Sequence, residues 1–265
     1  MTVLTPLVSV EELRRAYLAL AAGEFTSGTR RPRNRTPDGS ASAWCPAAGE
    51  RVILVLGAMA GAGASTTALA LATAAGEARV IECCTVAASG LAAASQAELG
   101  VTPDGWAQGR RDRVLIERRT DRVYRADDMP LPTCSPKPLT VVDCAYEIDL
   151  LLASRGWLTD LAHTTTAVVV ATTPNTPGLR RLESALGLLG LDRVSAVITG
   201  ATRRWPRTLA SLLGPAGRQL LAAGRLIGLP HDPTLSVHGI TTSPLPAPVL
   251  SAAATLLSEI GRTLQ

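Results

Sequence analysis

Short, uninterrupted apolar runs alternate with longer segments of helical periodicity along most of this chain. Residues 52–56, 79–83, 139–143, 167–171, 193–199 and 225–229 are short, mostly apolar and rich in Val and Ile. Such runs predict strands buried on both faces, as in parallel sheets. Residues 68–75, 147–161, 178–189, 206–223 and 248–264 space their apolar positions three and four apart and predict helices, the fourth broken at Gly214-Pro215. An Ala-rich helix is expected over 89–99, closed by Gly100, then an irregular stretch over 101–111 containing Trp106, and a strand over 113–117. Pro130, Pro132, Pro136 and Pro138 make 126–138 a loop, and 230–233 reads as a turn. Repeated alternation of this kind predicts an α/β fold: a doubly wound, mostly parallel sheet with helices on both faces. Its ligand crevice lies at the carboxyl ends of the strands.

Three segments divide the chain. Residues 1–22 hold a short amphipathic helix over 9–22, with a capping box at Ser9 and Glu12 and with Val10, Leu13, Tyr17 and Leu20 on one face. Two readings are open for it: a helix docked on the domain, or one that binds a protein partner. Residues 23–50 form a flexible Pro/Gly/Ser linker carrying the basic knot Arg30, Arg31, Arg33 and Arg35. These arginines are either solvated or in contact with nucleic-acid phosphate. The domain proper spans 51–265.

A net charge of +4 is compatible with anionic partners without identifying one. One lysine, Lys137, stands against a large excess of arginine. The 46% hydrophobic content supports a sizeable core, filled by Ala, Leu and Val because only 3% of residues are aromatic. Cys45, Cys83, Cys84, Cys134 and Cys144 have no metal-ligand spacing, and a reducing, cytoplasmic setting is expected. No apolar run reaches membrane-spanning length, and the last helix has too few basic residues for membrane attachment.

The chemistry concentrates where residues 57–67 join the first strand to the helix after it. Gly57, Gly61 and Gly63 punctuate the segment, and Ser65 and Thr66 open the helix. Strand, glycine loop and helix start is the layout of a phosphate-binding loop, whose N–H groups and helix dipole converge on an anion. The glycines are equally expected from tight strand-to-helix packing, and Ser65 and Thr66 from helix capping. Asp143 ends a later strand, as a metal-water ligand or as a carboxylate satisfied by backbone.

The stretch Met59-Ala60-Gly61-Ala62-Gly63-Ala64-Ser65-Thr66, with Val141-Val142-Asp143 and Leu229-Pro230-His231-Asp232, resembles the ParA/MinD family of P-loop ATPases, whose deviant Walker A loop reads K-G-G-x-G-K-[ST]-T. The similarity covers roughly residues 51–260; loops of the type G-G-A-G-A-S-T in actinobacterial proteins of this class are also similar. The resemblance implies a nucleotide site at Gly57, residues 59–66, Asp143, Pro230, His231 and Asp232. It implies ATP as ligand, magnesium held by Ser65 and Asp143, and a possible homodimer. Both loop lysines of the family are replaced here, by Met59 and Ala64. The family's D-x-D after the second strand becomes Glu82-Cys83-Cys84. Losing those charges removes the main stabilisation of phosphoryl transfer. The expectation is a degenerate, non-hydrolytic or weakly hydrolytic binding or scaffold protein in partitioning, positioning or DNA transfer. The alternatives are an active magnesium-dependent ATPase charged by a partner or by arginines, with Arg203, Arg204 and Arg207 as candidates, and a DNA-binding accessory using the linker with Arg110, Arg111, Arg118 and Arg119.

Overall fold

Side chains of β1 (Arg51–Gly57) divide by parity: Ile53 and Val55 enter one core, Leu54 and Leu56 the other. That division is the period-two consequence of covering both faces of a strand. In the computed structural model residues 14, 15, 17–19, 44–200 and 207–263 are described. The chain divides into two units, Met1–Ser40 and Ala41–Gln265. In the first unit, 14, 15 and 17–19 are helical, with Tyr17 and Leu18 exposed. Arg30, Arg31, Arg33 and Arg35 lie outside the described residues, as do Arg203, Arg204, Trp205 and Pro206.

The second unit carries a nine-stranded sheet. After β1 come β2 (Ala78–Cys83), β3 (Ala97–Val101), β4 (Trp106–Arg111), β5 (Val114–Arg119), β6 (Leu139–Cys144), β7 (Val168–Thr172), β8 (Val194–Thr199) and β9 (Leu226–Leu229). Their order is β3-β4-β5-β2-β6-β1-β7-β8-β9. All pairings from β5 to β9 are parallel, and only β3–β4 and β4–β5 are antiparallel. β1 therefore lies between β6 and β7, where the winding reverses and a crevice opens at the strand ends.

The helices are α1 (Ala64–Ala75), α2 (Ile148–Ala153), α3 (Trp157–Thr164), α4 (Thr176–Leu189), α5 (Arg207–Leu212), α6 (Pro215–Ala222), α7 (Pro233–His238) and α8 (Ala247–Thr263). α1 buries Ala68, Leu69, Ala70, Leu71 and Ala72, alongside Val249, Ala253, Leu256 and Ile260 of α8, against Val55, Val141 and Val169. Its many alanines let the helix lie close to the sheet. The opposite core takes Leu151, Leu158, Leu182 and Leu220 from α2, α3, α4 and α6. The final helix is thus committed to the interior by its apolar stripe.

Several expectations are corrected. No helix forms over 89–99, because Glu82 draws Ser89, Gly90 and Leu91 inward and the following residues pair as β3, overriding alanine's helix preference. The stretch read as irregular contains β4, and Trp106 is fully buried, donating Nε1–H to Leu131 O at 2.8 Å. The helix expected over 147–161 is two helices. Gly156 breaks it at φ 99°, while the Asp127 carboxylate accepts from Arg155 N at 3.0 Å. Residues after 232 form α7, capped by Asp232 with Pro233 in its first turn.

Candidate functional site

Two left-handed glycines shape the loop after β1: Gly61 at φ 73° and Gly63 at φ 81°. Gly63 is the N-cap of α1 and offers no side chain to its first turn. That leaves the free N–H groups of a helix start facing outward, the arrangement that attracts an anion. Ser65 and Thr66 do not cap the helix; they lie inside it. The loop is fastened from across the sheet. Ala58 N donates to Ala171 O at 2.8 Å and the Thr199 hydroxyl to Ala62 O at 2.8 Å. A Cβ on Gly63 would stand 2.7 Å from Thr199 Cγ2. Gly63→Ala is therefore expected to lose about 1–3 kcal/mol through backbone strain and steric overlap, read as a lower unfolding midpoint in urea. A wild-type midpoint would contradict this packing.

A cavity of about 420 Å³ lies over the loop, lined by Gly57, residues 59–66, Ala88, Gly90, Ala145, Tyr146, Glu147, Gly239 and Ile240. The proposed phosphate-binding positions thus meet in one place. Pro230, His231 and Asp232 line an adjoining hollow of about 320 Å³ that shares Gly61, Gly63 and Thr66 with it. Asp232 is already engaged there, accepting from Leu235 N at 2.8 Å. A larger hollow, about 640 Å³, opens at the other end of the sheet among Trp44, Leu139, Ala167 and Leu257. It is apolar and away from this chemistry.

Electrostatically the wall is unlike a site built for a polyanion. Among the described residues Glu147 is the one charged residue of the cavity lining, which holds no lysine or arginine. Met59 packs its sulfur 3.5 Å from the Thr173 hydroxyl, and Ala64 opens α1. Behind the loop, Asp143 is 1% exposed and neither carboxylate oxygen has a hydrogen-bond partner among the described residues. Burial raises it to about 7; the neighbouring Ser65 hydroxyl opposes the rise and the Glu82 carboxylate adds to it. Of the two readings open for Asp143, satisfaction by backbone groups finds no such bond among the described residues. An unpartnered buried carboxylate beside a serine is a donor set that fits a divalent cation.

Glu82 stands next to Asp143 in register but is differently placed. It accepts from Ser89 Oγ at 2.7 Å, Gly90 N at 2.8 Å and Leu91 N at 2.9 Å. Those bonds draw the loop over Ser65 so closely that a Cβ on Gly90 would sit 2.6 Å from Ser65 Oγ. Burial raises the Glu82 carboxyl, and the three hydrogen bonds lower it in part. Cys84, in the position of a second carboxylate, is buried with its thiol pushed far above its ordinary range. It is no base.

Among the arginines weighed for nucleic acid, Arg111 is buried and donates to Ala94 O, Thr241 O and Ser243 O. Arg118 and Arg119 pair with Glu98 and Asp121. Arg110 stays exposed. Glu147, Gly90 and Tyr146 escaped the sequence reading. Only Glu147 left a signal, lying four residues beyond Asp143 on the crevice side of the sheet. Among the described residues no helix is long and apolar enough to cross a membrane.

No family model and no curated protein matches the sequence. Solved structures do match in fold. A plasmid partition protein of Borrelia burgdorferi B31, bound to AMPPNP, aligns with a TM-score of 0.51 at 13% identity, over 80% of this chain and 99% of that one. Apo McdA from Cyanthece gives 0.51 at 12% identity, over 82% and 100%. The MinD cell division protein of Aquifex aeolicus gives 0.50 at 12% identity, over 80% and 97%. The parallel sheet, the reversal at β1 and the glycine loop at its end together give this chain the fold of the ParA/MinD P-loop ATPases.

Proposed function

We propose that this chain is a nucleotide-binding scaffold of the partition and positioning type, hydrolysing ATP weakly or not at all. The observation that carries the reading is a glycine loop built for backbone contact with phosphate, in a wall that holds no cationic residue among the described ones. Backbone N–H groups and a helix dipole bind phosphate, but transferring one needs charge at the outer oxygens. The residues fit magnesium better than they fit catalysis: Ser65 and the unpartnered Asp143 would hold the ion, which would supply charge to the phosphates. Position in the cytoplasm, a second copy as partner, a protein partner for residues 9–22 and DNA contact through Arg30, Arg31, Arg33 and Arg35 belong to the same proposal.

Calorimetric titration with ATP and a non-hydrolysable analogue, with and without magnesium, tests it alongside a turnover assay. Binding without turnover is expected; absence of heat at millimolar nucleotide would remove the nucleotide from the reading. Ala64→Lys is expected to tighten ATP binding at least about tenfold, since one charge-assisted contact contributes about 1.5–3 kcal/mol. Unchanged affinity would mean that the loop does not bring phosphate to α1.

The active-ATPase reading draws support from Arg181. It lines a hollow of about 180 Å³ with Ala58 and Glu147, beside the phosphate cavity. Magnesium-dependent turnover abolished by Arg181→Ala would favour it.

A further inference from the structure

We propose that Glu147 makes the cavity select nucleoside diphosphates over triphosphates, an inference that rests on the nucleotide-binding reading above. Two parts of a phosphate loop have separable tasks: backbone N–H groups cradle the inner phosphates, and a lysine reaches the outer ones. The first part is present. Gly61 and Gly63 hold left-handed conformations, and the twelve-residue α1 begins without a side-chain cap. An independent feature lies behind the loop, beside the cavity-lining Ser65: the buried Asp143, neither of whose oxygens has a hydrogen-bond partner among the described residues.

The second part is reversed in sign. Met59 turns its sulfur to the Thr173 hydroxyl, and Ala64 has no reach. The lining instead includes the acidic residue Glu147, which is exposed and makes no ion pair among the described residues. Arg181 lines a separate hollow with Ala58 and Glu147 and does not line the phosphate cavity. Among the described residues a third phosphate therefore finds no lysine or arginine in the wall, while it adds negative charge near a like charge. Like-charge juxtaposition is a means of rejecting a competing ligand. The diphosphate keeps the backbone contacts and avoids most of the repulsion.

The test is calorimetric titration of the full-length chain with ADP and with a non-hydrolysable ATP analogue, both with magnesium. The diphosphate is expected to bind at least about tenfold more tightly at low salt, with the gap narrowing in about 0.5 M salt as the exposed carboxylate is screened. Glu147→Gln is expected to narrow the gap by tightening the triphosphate. A triphosphate that binds as tightly as the diphosphate to the wild-type chain, or a gap unchanged in Glu147→Gln, would overturn the proposal and leave nucleotide binding standing. No heat from either nucleotide would overturn both.

Discussion

Asp143→Asn is expected to stabilise the ligand-free protein at pH 8 and to leave it nearly unchanged at pH 4. Burial holds the carboxyl at about 7, against an ordinary value of 3.8. Between those values the folded state binds more protons than the unfolded state, so stability falls as pH rises through the interval. Above about pH 7 the full cost is present, at most about 4 kcal/mol. Below 3.8 the carboxyl is neutral in both states and the cost vanishes. Asparagine keeps the shape without the charge, so its advantage grows with pH across that window. Urea unfolding of both proteins from pH 4 to pH 8 measures the difference. A difference that is flat with pH would mean that Asp143 is not an isolated buried charge. Magnesium offers a second readout: it is expected to raise the wild-type midpoint at pH 8 and to do so much less in Asp143→Asn.

Arg79→Met is expected to cost about 3–5 kcal/mol, the penalty for breaking a buried ion cluster from one side. Arg79 is 1% exposed. Its guanidinium reaches Glu50 at 3.0 Å, Glu117 at 3.5 Å and Thr133 O at 2.7 Å, and its Nε donates to Thr140 Oγ1 at 3.0 Å. Methionine fills much of the volume but strands two buried carboxylates, whose side chains are 3% and 0% exposed. Adding Glu50→Gln and Glu117→Gln should restore most of the loss, because the remaining groups are then neutral. Chemical denaturation of the single and triple variants decides this. A triple variant no more stable than the single would show that packing, and not charge, dominates. Arg79 and Thr140 are the second residues of β2 and β6 and Glu50 precedes β1, whereas the glycine loop leaves the opposite end of β1. Nucleotide affinity of the folded fraction should accordingly stay the same.

Much of the architecture was legible because parallel strands buried on both faces write themselves as apolar runs. β1, β2, β6, β7, β8 and β9 fall where those runs lie, and the stripe of Val249, Ala253, Leu256 and Ile260 becomes the buried face of α8. Two of the misreadings share one cause. Residues 89–99 are helix-prone locally but are held otherwise by Glu82, a group close in space whose pull local pattern does not encode. Trp106, flanked by polar residues and glycines, reads as loop until β5 and Leu131 supply its partners.

The candidate site divides in the same manner. Sequence by itself determined that a glycine loop joins a buried strand to a helix, that Met59 and Ala64 stand in that loop where the resembled family carries lysines, and that Asp143 lies at the carboxyl end of a later strand. These are matters of residue identity and spacing along one local segment. Only tertiary structure decided that Glu147 joins the cavity lining, that Glu82 is engaged by a loop, that Asp143 has no hydrogen-bond partner among the described residues, and that Arg111 is buried among backbone carbonyls. Charge and hydrogen bonding act through space between residues distant along the chain. The loop's shape was therefore readable from its own residues, while its electrostatic character depended on what the fold placed beside it.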